Sequence, residues 1–435
     1  MLAVIHAYRA GLFHTRFLIR NIFAGIVVGV LAAPLAIAFA IASGAQPEQG
    51  LYTAIITSFS VAMFGGTHVQ IAGPTSALVM ILSTVTQTYG VAAMQMVTLM
   101  AGVILILMGM LKLGDIVRGI PTTVVHGFSF GIGISIFVNQ FKEFFGLTVA
   151  LNSSTPFLQK IYLLLTALPH FSLNTTLLSL FGLAIIALSG RISPKIPAPL
   201  AALSLITLLN ILFNFDDVNT IYSAYGGIPQ RAPILMVPMV SWKVFFHLIP
   251  TACSIALLSS IETLLSAAAT DKFTGDQHRP NQELIGLGVG NVISPFFGGF
   301  ASTGTLSRTM TSLRYGANSP LAAVVHALFL ISVLFVLAPA ANKIPLCALA
   351  AILYFVAFNM TNLSFLWAYL KWVPKYDVFV FIMTFLLTVF FDLSKGILVG
   401  ALLSYAGPPY IIPVLNQLKV KVIAVTKMFQ LPFKI

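Results

Sequence analysis

Charge is what this sequence has least of. Only 8% of its 435 residues are Asp, Glu, Lys or Arg, against about 25% in soluble globular domains. So few cannot clothe the surface of a soluble chain of this size. Cysteine is scarcer still, and Cys253 and Cys347 both fall inside apolar stretches. That excludes a disulfide or zinc framework and leaves two buried free thiols as the plain reading. No hydrophilic domain, low-complexity tract or extended linker interrupts the chain. Nothing in it resembles a nucleophile triad, a phosphate loop or a metal-ligand cluster, so enzymatic chemistry has no candidate site.

What is present is hydrophobic: 58% of residues, with a mean hydropathy of +0.98. A bilayer core needs about 20 apolar residues per helix. Fourteen apolar stretches can be counted, at approximately 21–43, 50–65, 71–88, 90–113, 120–140, 172–190, 196–214, 248–269, 283–298, 302–313, 318–340, 344–360, 376–391 and 394–415. Those near 71–88 and 302–313 are interrupted or short. Runs of this length lack the alternation of a membrane barrel, which points to helices. The first run follows Arg9, Arg16 and Arg20 and precedes a long apolar series, so it is not an isolated signal peptide. The expected fold is an all-α polytopic membrane protein.

The formal charge of +12 invites a nucleic-acid reading, but the placement of the basic residues argues against it. With the N terminus in the cytoplasm and fourteen crossings, six of the 23 Lys and Arg fall outside: Lys142, Lys160, Arg231, Lys243, Lys343 and Lys395. Arg308 lies within a segment and the rest are cytoplasmic, which is the positive-inside pattern. Both termini are therefore expected in the cytoplasm of a cell membrane protein, with no nucleic-acid partner.

A Gly- and Pro-rich excursion over about 215–247 divides seven segments from seven. Each half reads as two spans, an interrupted segment rich in small polar residues, then four more spans. An odd-numbered repeat must enter the membrane with opposite orientation, so the pattern predicts inverted repeats, approximately 15–225 and 240–415, within a single membrane domain over 1–435.

The interrupted segments carry the chemistry. The first begins Ile71-Ala72-Gly73-Pro74-Thr75-Ser76-Ala77, where Pro suits an initial helical turn and a helix is expected to start. The second runs Gly298-Gly299-Phe300-Ala301-Ser302-Thr303-Gly304-Thr305-Leu306-Ser307-Arg308-Thr309, with a helix expected from near Ser302. Two helix N-termini facing each other at mid-membrane would present unpaired N–H groups and positive dipole ends to an anion. The competing reading is that these Gly, Ser and Thr residues only let helices pack closely. Ten of the 11 acidic residues lie in or near loops or segment ends; Glu262 is the exception, deep in an apolar run. Such a group faces a cavity and can take a proton or sodium ion, or is simply bonded to a neighbouring helix end. Arg308 can offer a permanent positive charge to an anion, or snorkel to the cytoplasmic interface. His126 and His326 also lie in apolar segments, where a hydrogen-bonded core role is the ordinary one.

At Asn281-Gln282-Glu283-Leu284-Ile285, Gly290-Asn291 and Ser294-Pro295-Phe296-Phe297-Gly298-Gly299, the sequence resembles the sulfate permease family, whose animal members form solute carrier family 26. Pro34 to Ala40, Gly50 to Ala54, Gly73-Pro74-Thr75, Ile261 to Ala267, Thr274 to His278 and Ser307-Arg308-Thr309 agree, and the resemblance covers roughly residues 15–405. It implies seven plus seven inverted repeats, a core domain moving against a gate domain, and a homodimer. It also implies an anion held between the third and tenth helices with help from the first. Carried onto this chain, that names Phe39, Thr75, Ser307 and Arg308, with the backbone around Gly73 and Ser302, Thr303, Gly304 and Thr305. Glu262 matches the acidic position associated with cation coupling. Two departures stand out: Leu35 replaces the Gln that many members carry after the first-helix proline, and Ile435 ends the chain with no room for the cytoplasmic STAS domain most members carry. The expected function is secondary active transport of an inorganic anion of the sulfate or bicarbonate class, or a small carboxylate. It needs no cofactor beyond a coupling proton or sodium ion. The alternatives are a passive anion channel, an anion exchanger, a nucleobase permease and a non-transporting membrane scaffold.

Overall fold

The computed structural model describes residues 3–404 apart from 10, 13, 118–121, 150–154, 193–197, 231, 362–365, 367–373, 391–395, 397, 398 and 401. Apart from two strands of two residues each, its regular structure is helical. The principal helices are α1 (Thr15–Ala42), α2 (Pro47–Phe64), α3 (Ser76–Tyr89), α4 (Val91–Met110), α5 (Thr122–Phe145), α6 (Phe157–Ala167) and α7 (Leu173–Ile192). They continue with α8 (Ala198–Phe213), α9 (Trp242–Thr274), α10 (Pro280–Ile293), α11 (Leu306–Arg314), α12 (Leu321–Ser332), α13 (Leu346–Thr361) and α14 (Lys375–Phe390). Every apolar stretch from 21–43 to 376–391 holds a helix; the stretch at 394–415 lies for the most part outside the described residues.

Local chemistry sets the ends. Pro47 opens α2, where its missing N–H is no loss, and Gln49 Oε1 accepts from the Gln46 amide at 2.9 Å while Glu48 sits in the positively polarised first turn. Ser241 caps α9 through the Val244 amide, and Gly275, at φ 74, ends it in the left-handed region. Among the described residues, five helical spans are long and apolar enough to cross a membrane: Phe17–Ala42, Val91–Met110, Thr123–Phe145, Trp242–Asp271 and Leu321–Ala341. The pair Phe157–His170 and Leu173–Ser189, bent by 112°, makes a sixth if taken together.

Three features depart from expectation. A helix outside the counted apolar stretches, α6, forms between the one that ends at 140 and the one that begins at 172. The stretch 318–340 breaks into α12, a π turn over Val333–Leu337 and a short helix over Ala338–Ala341. Pro339 accounts for this: it cannot donate to the Phe335 carbonyl, which instead accepts from Gln230 Nε2 at 2.9 Å. The third departure concerns the starts of α3 and α11. They lie at Ser76 and Leu306 rather than at Pro74 and Ser302, because the residues before them pair as strands β1 (Ala72–Gly73) and β2 (Thr303–Gly304).

The helices sort into two packing groups. One contains α1 to α4 with α9 to α12; the other contains α5, α7, α8, α13 and α14. They meet where α1 touches α8 and α13, and where α3 touches α5. Within the first group, buried Glu283 at the start of α10 accepts from the amides of Gly66 (2.7 Å) and Thr67 (2.9 Å). The same turn is tied by His68 Nε2 to Asp276 (2.8 Å), while His278 Nδ1 meets Asp271 (2.6 Å). The Asn281-to-Ile285 stretch thus fastens the end of α2 to the start of α10.

Candidate functional site

Strands β1 and β2 run antiparallel, with Ala72 opposite Gly304 and Gly73 opposite Thr303. Each leads into a helix, α3 after Thr75 and α11 after Thr305, neither of which caps its helix through the side chain, so two helix N-termini flank one short ladder. Non-helical backbone at membrane depth must find its partners within the protein. It does so here. Ile71 O accepts from both the amide and the hydroxyl of Thr305 (each 3.0 Å), and Ile71 N donates to Thr309 Oγ1 at 3.1 Å. Ser58 Oγ donates to Ala72 O at 2.6 Å and Gly304 N donates to Thr263 Oγ1 at 2.8 Å. Farther along, Thr53 Oγ1 accepts from Phe300 N at 2.9 Å and Gln49 Nε2 donates to Gly298 O at 2.7 Å.

The glycines in the ladder are there for space. A Cβ on Gly73 would strike Arg308 Nη1, and one on Gly304 would strike Gln70 Nε2. Arg308 is 5% exposed; its Nη2 donates to Pro74 O at 2.9 Å, whereas Nη1 has no partner. A buried guanidinium with an unused donor is costly unless something negative comes to it. Across the ladder, Glu262 on α9 accepts at Oε2 from Thr303 Oγ1 (2.8 Å) and from Thr75 Oγ1 (3.3 Å). One carboxylate oxygen therefore bridges the two interrupted segments.

The expected site residues fall into two classes. Thr75 and Glu262 are partly accessible and Ser307 is exposed in the first turn of α11. Gly73, Ser302, Thr303, Gly304, Thr305 and Arg308 are buried. Ser302 is fully engaged: its amide and hydroxyl both donate to Asn291 Oδ1 (2.9 and 3.0 Å), and its carbonyl accepts from Asn291 Nδ2 (3.1 Å). Phe39 packs into the main apolar core on α1. His326 is fully buried with neither ring nitrogen hydrogen-bonded, and His126 lies on α5. Cys347 is buried as expected; Cys253 is exposed, because α9 turns that face outward from its packing group.

Gln70, Thr263, Asn291 and Thr309 also surround the ladder, and sequence reading gave none of them a role in the site, although the last three stand in stretches that carry the family resemblance. Their common mark is an uncharged polar side chain in or beside an apolar run, all four buried. Chemically, the arrangement combines one fixed cation, one carboxylate and two sets of orphan helix N–H groups, with Ser307 and Thr75 hydroxyls reachable from outside the core.

Comparison with known proteins gives a consistent outcome. The model of the sulfate permease family matches residues 18–384. YvdB of Bacillus subtilis (strain 168), provisionally named a sulfate transporter, is 40% identical over 386 residues, covering 89% of this chain and 72% of that protein. The bicarbonate transporter BicA of Picosynechococcus sp. (strain ATCC 27264 / PCC 7002 / PR-6) is 34% identical over 397 residues, covering 89% and 69%. Among solved structures, the transmembrane domain of a cyanobacterium bicarbonate transporter BicA superposes with a TM-score of 0.78 at 31% identity, covering 90% of this chain and 98% of that one. Murine solute carrier 26 family member A9, an anion transporter in the inward-facing state, superposes with a TM-score of 0.84, covering 96% and 71%; at 20% identity that likeness speaks for the fold alone.

Proposed function

Since the chain belongs to the sulfate permease family, we propose that it is a secondary transporter of a small inorganic anion, sulfate or bicarbonate in class, working by alternating access. The observation that carries this reading is the bridge at Glu262, whose Oε2 receives hydroxyls from both interrupted segments, beside a buried Arg308 with a free Nη1. The anion would sit against the N-termini of α3 and α11, reached through Thr75 and Ser307, with Arg308 supplying a fixed charge behind them. Two relatives whose names concern sulfate and bicarbonate support that substrate class.

Glu262 is the coupling residue in this proposal. An ionised carboxylate beside the anion opposes it; a proton or sodium ion on Glu262 cancels that repulsion. By linkage, the anion then raises the cation's affinity by the same factor. The two helix groups supply the moving parts, the first carrying the site and the second forming the surface against which it travels. We further propose fourteen crossings as seven plus seven inverted repeats, both termini cytoplasmic, and a homodimer. The basic residues favour that orientation, with six of 23 on the outer side.

The test is uptake of radiolabelled sulfate, bicarbonate, chloride and a dicarboxylate into proteoliposomes, with and without proton and sodium gradients. At least one anion is expected to enter faster than into protein-free vesicles and to respond to one gradient. Glu262→Gln is expected to bind the same anion and lose the response. Wild-type rates with unchanged pH and sodium dependence in that variant would overturn the coupling role, and unitary currents in place of saturable uptake would replace carrier with channel.

A further inference from the structure

Outside the site just described, one basic side chain stands apart. Lys160, on α6, is half-buried, and its Nζ donates to Asn139 Oδ1 on α5 at 2.8 Å. The other end of the same carboxamide, Asn139 Nδ2, reaches Met80 Sδ on α3 at 2.9 Å. A three-residue chain therefore runs from α6 in the second group's periphery, through α5, to α3 in the first group. It crosses the seam at a small cleft also lined by Ala42, Ile136 and Gln140.

Two properties make this more than a packing contact. First, the ion pairs found among the described residues join His68 to Asp276 and His278 to Asp271, and no carboxylate pairs with Lys160. Among the described residues, the partly desolvated ammonium is met only by a neutral oxygen, that of an amide whose other end bonds a thioether, and a mobile anion would compensate it. Second, the position is on the path. Met80 follows Ser76, the first helical residue of α3, by four positions, on the order of 6 Å along the axis. Ala42 is the last residue of α1. The Lys160 contact thus lies about one turn beyond the proposed anion site, toward the membrane face where α1 ends.

We propose that Lys160 is the anion-capture residue at that face. When α3 and α5 part, Met80 releases the Asn139 amide, and the Lys160 ammonium with the freed Asn139 N–H forms the first station an entering anion meets. A fixed cation there raises the local anion concentration and sets selectivity by charge before the anion reaches Arg308. In the seam-closed state Asn139 occupies the ammonium, so the station exists only while the face is open. This inference rests on the anion-transport reading, and on the proposed orientation the face is the outer one.

The test uses the full chain in vesicles of uniform orientation, with zero-trans uptake of radiolabelled sulfate and bicarbonate measured from each face. Lys160→Gln is expected to raise KM by about tenfold at the face where α1 ends, the lower end of electrostatic steering, with kcat unchanged. KM at the opposite face should stay at the wild-type value, and the ionic-strength dependence of uptake should flatten only at the first face. Lys160→Arg should restore both. An unchanged KM, or one raised equally at the two faces, overturns the proposal, since a purely structural role would not distinguish the faces. A fall in kcat with KM unchanged also overturns it, and elution of the variant as an aggregate is answered by the Arg variant, whose KM must then match wild type. If the wild-type protein moves no anion from either face, the transport reading itself fails and this inference falls with it.

Discussion

Arg308 has one guanidinium arm on the Pro74 carbonyl and one arm free, pressed close to Gly73. Gly73→Ala should therefore act on the site through Arg308, because the new methyl must displace Nη1. Anion affinity in that variant is expected to fall by at least about tenfold, equivalent to roughly 1.4 kcal/mol, comparable to the loss in Arg308→Ala. Isothermal titration in detergent with the transported anion checks this, and a Gly73→Ala protein with wild-type affinity would refute it. Glu262, Arg308 and the hydroxyl run were legible in the sequence because charge is so rare in this chain that each intramembrane instance stands out. The jobs of Ser302, Gln70 and Asn291 were not. Ser302 is indistinguishable by type from Thr303 and Thr305, yet its polar atoms are consumed by Asn291, while Thr303 faces Glu262. Which hydroxyl meets which partner is decided by packing, and a one-dimensional pattern holds no record of it.

At the scale of elements, runs of apolar residues located the helices, of which five, or six with the bent pair, are long and apolar enough among the described residues to cross a membrane. The starts of α3 and α11 were misplaced by two to four residues because a ladder of two residues per strand has no periodicity to detect. Its stability comes from side chains on neighbouring helices, so it should be sensitive to them. Asn291→Ala removes three hydrogen bonds to Ser302 in a fully buried setting and is expected to cost about 1–3 kcal/mol, read as a lower thermal midpoint in detergent. Away from the bilayer, Asp217 accepts from Ser172 Oγ (2.6 Å) and Asn174 Nδ2 (2.9 Å), which pin the loop after α8 to the start of α7. Those bonds, that from Ser172 foremost, hold its carboxyl below the usual carboxylate range. Its folded pKa is depressed, so its stabilisation is complete above the unfolded value of about 3.9 and is lost as pH falls through the folded one. Asp217→Asn should lower the thermal midpoint modestly at pH 7, since the pair is exposed and screened, and the two proteins should draw together only as pH falls below the ordinary carboxylate range. A constant gap across that range would count against the assignment.

For the whole molecule, transport by relative movement of the two helix groups requires the seam at α3 and α5 to open. Met80 and Asn139 touch across it. With Cys253 and Cys347 replaced by Ser, a Met80→Cys/Asn139→Cys pair should cross-link under mild oxidation, stop uptake, and regain it on reduction. Full uptake by the cross-linked protein would mean that this seam does not open during the cycle. The family resemblance implies a division into core and gate, but hydropathy does not show which helices belong to which, and the first group's members come from both halves of the chain. Hydropathy orders segments along the chain but says nothing about which of them touch.

The ladder at Ala72 and Gly304 joins residues on either side of most of the polypeptide. A ribosome delivers the first long before the second. Until α9 to α11 have entered the bilayer, the Ile71–Gly73 backbone lacks the Thr305, Thr309 and Gly304 groups that satisfy it in the finished protein, and hydrocarbon offers no substitute. The loop-closure entropy of joining such distant residues grows only logarithmically and is not the obstacle; the waiting time is. The nascent first half must therefore linger at the interface or in the insertion machinery with its polar strand shielded. Residues 1–230 expressed alone should be degraded quickly, and co-expression of residues 231–435 should rescue them. Pulse-chase labelling of the two fragments, separately and together, would reveal whether maturation of this protein is timed by its own second half.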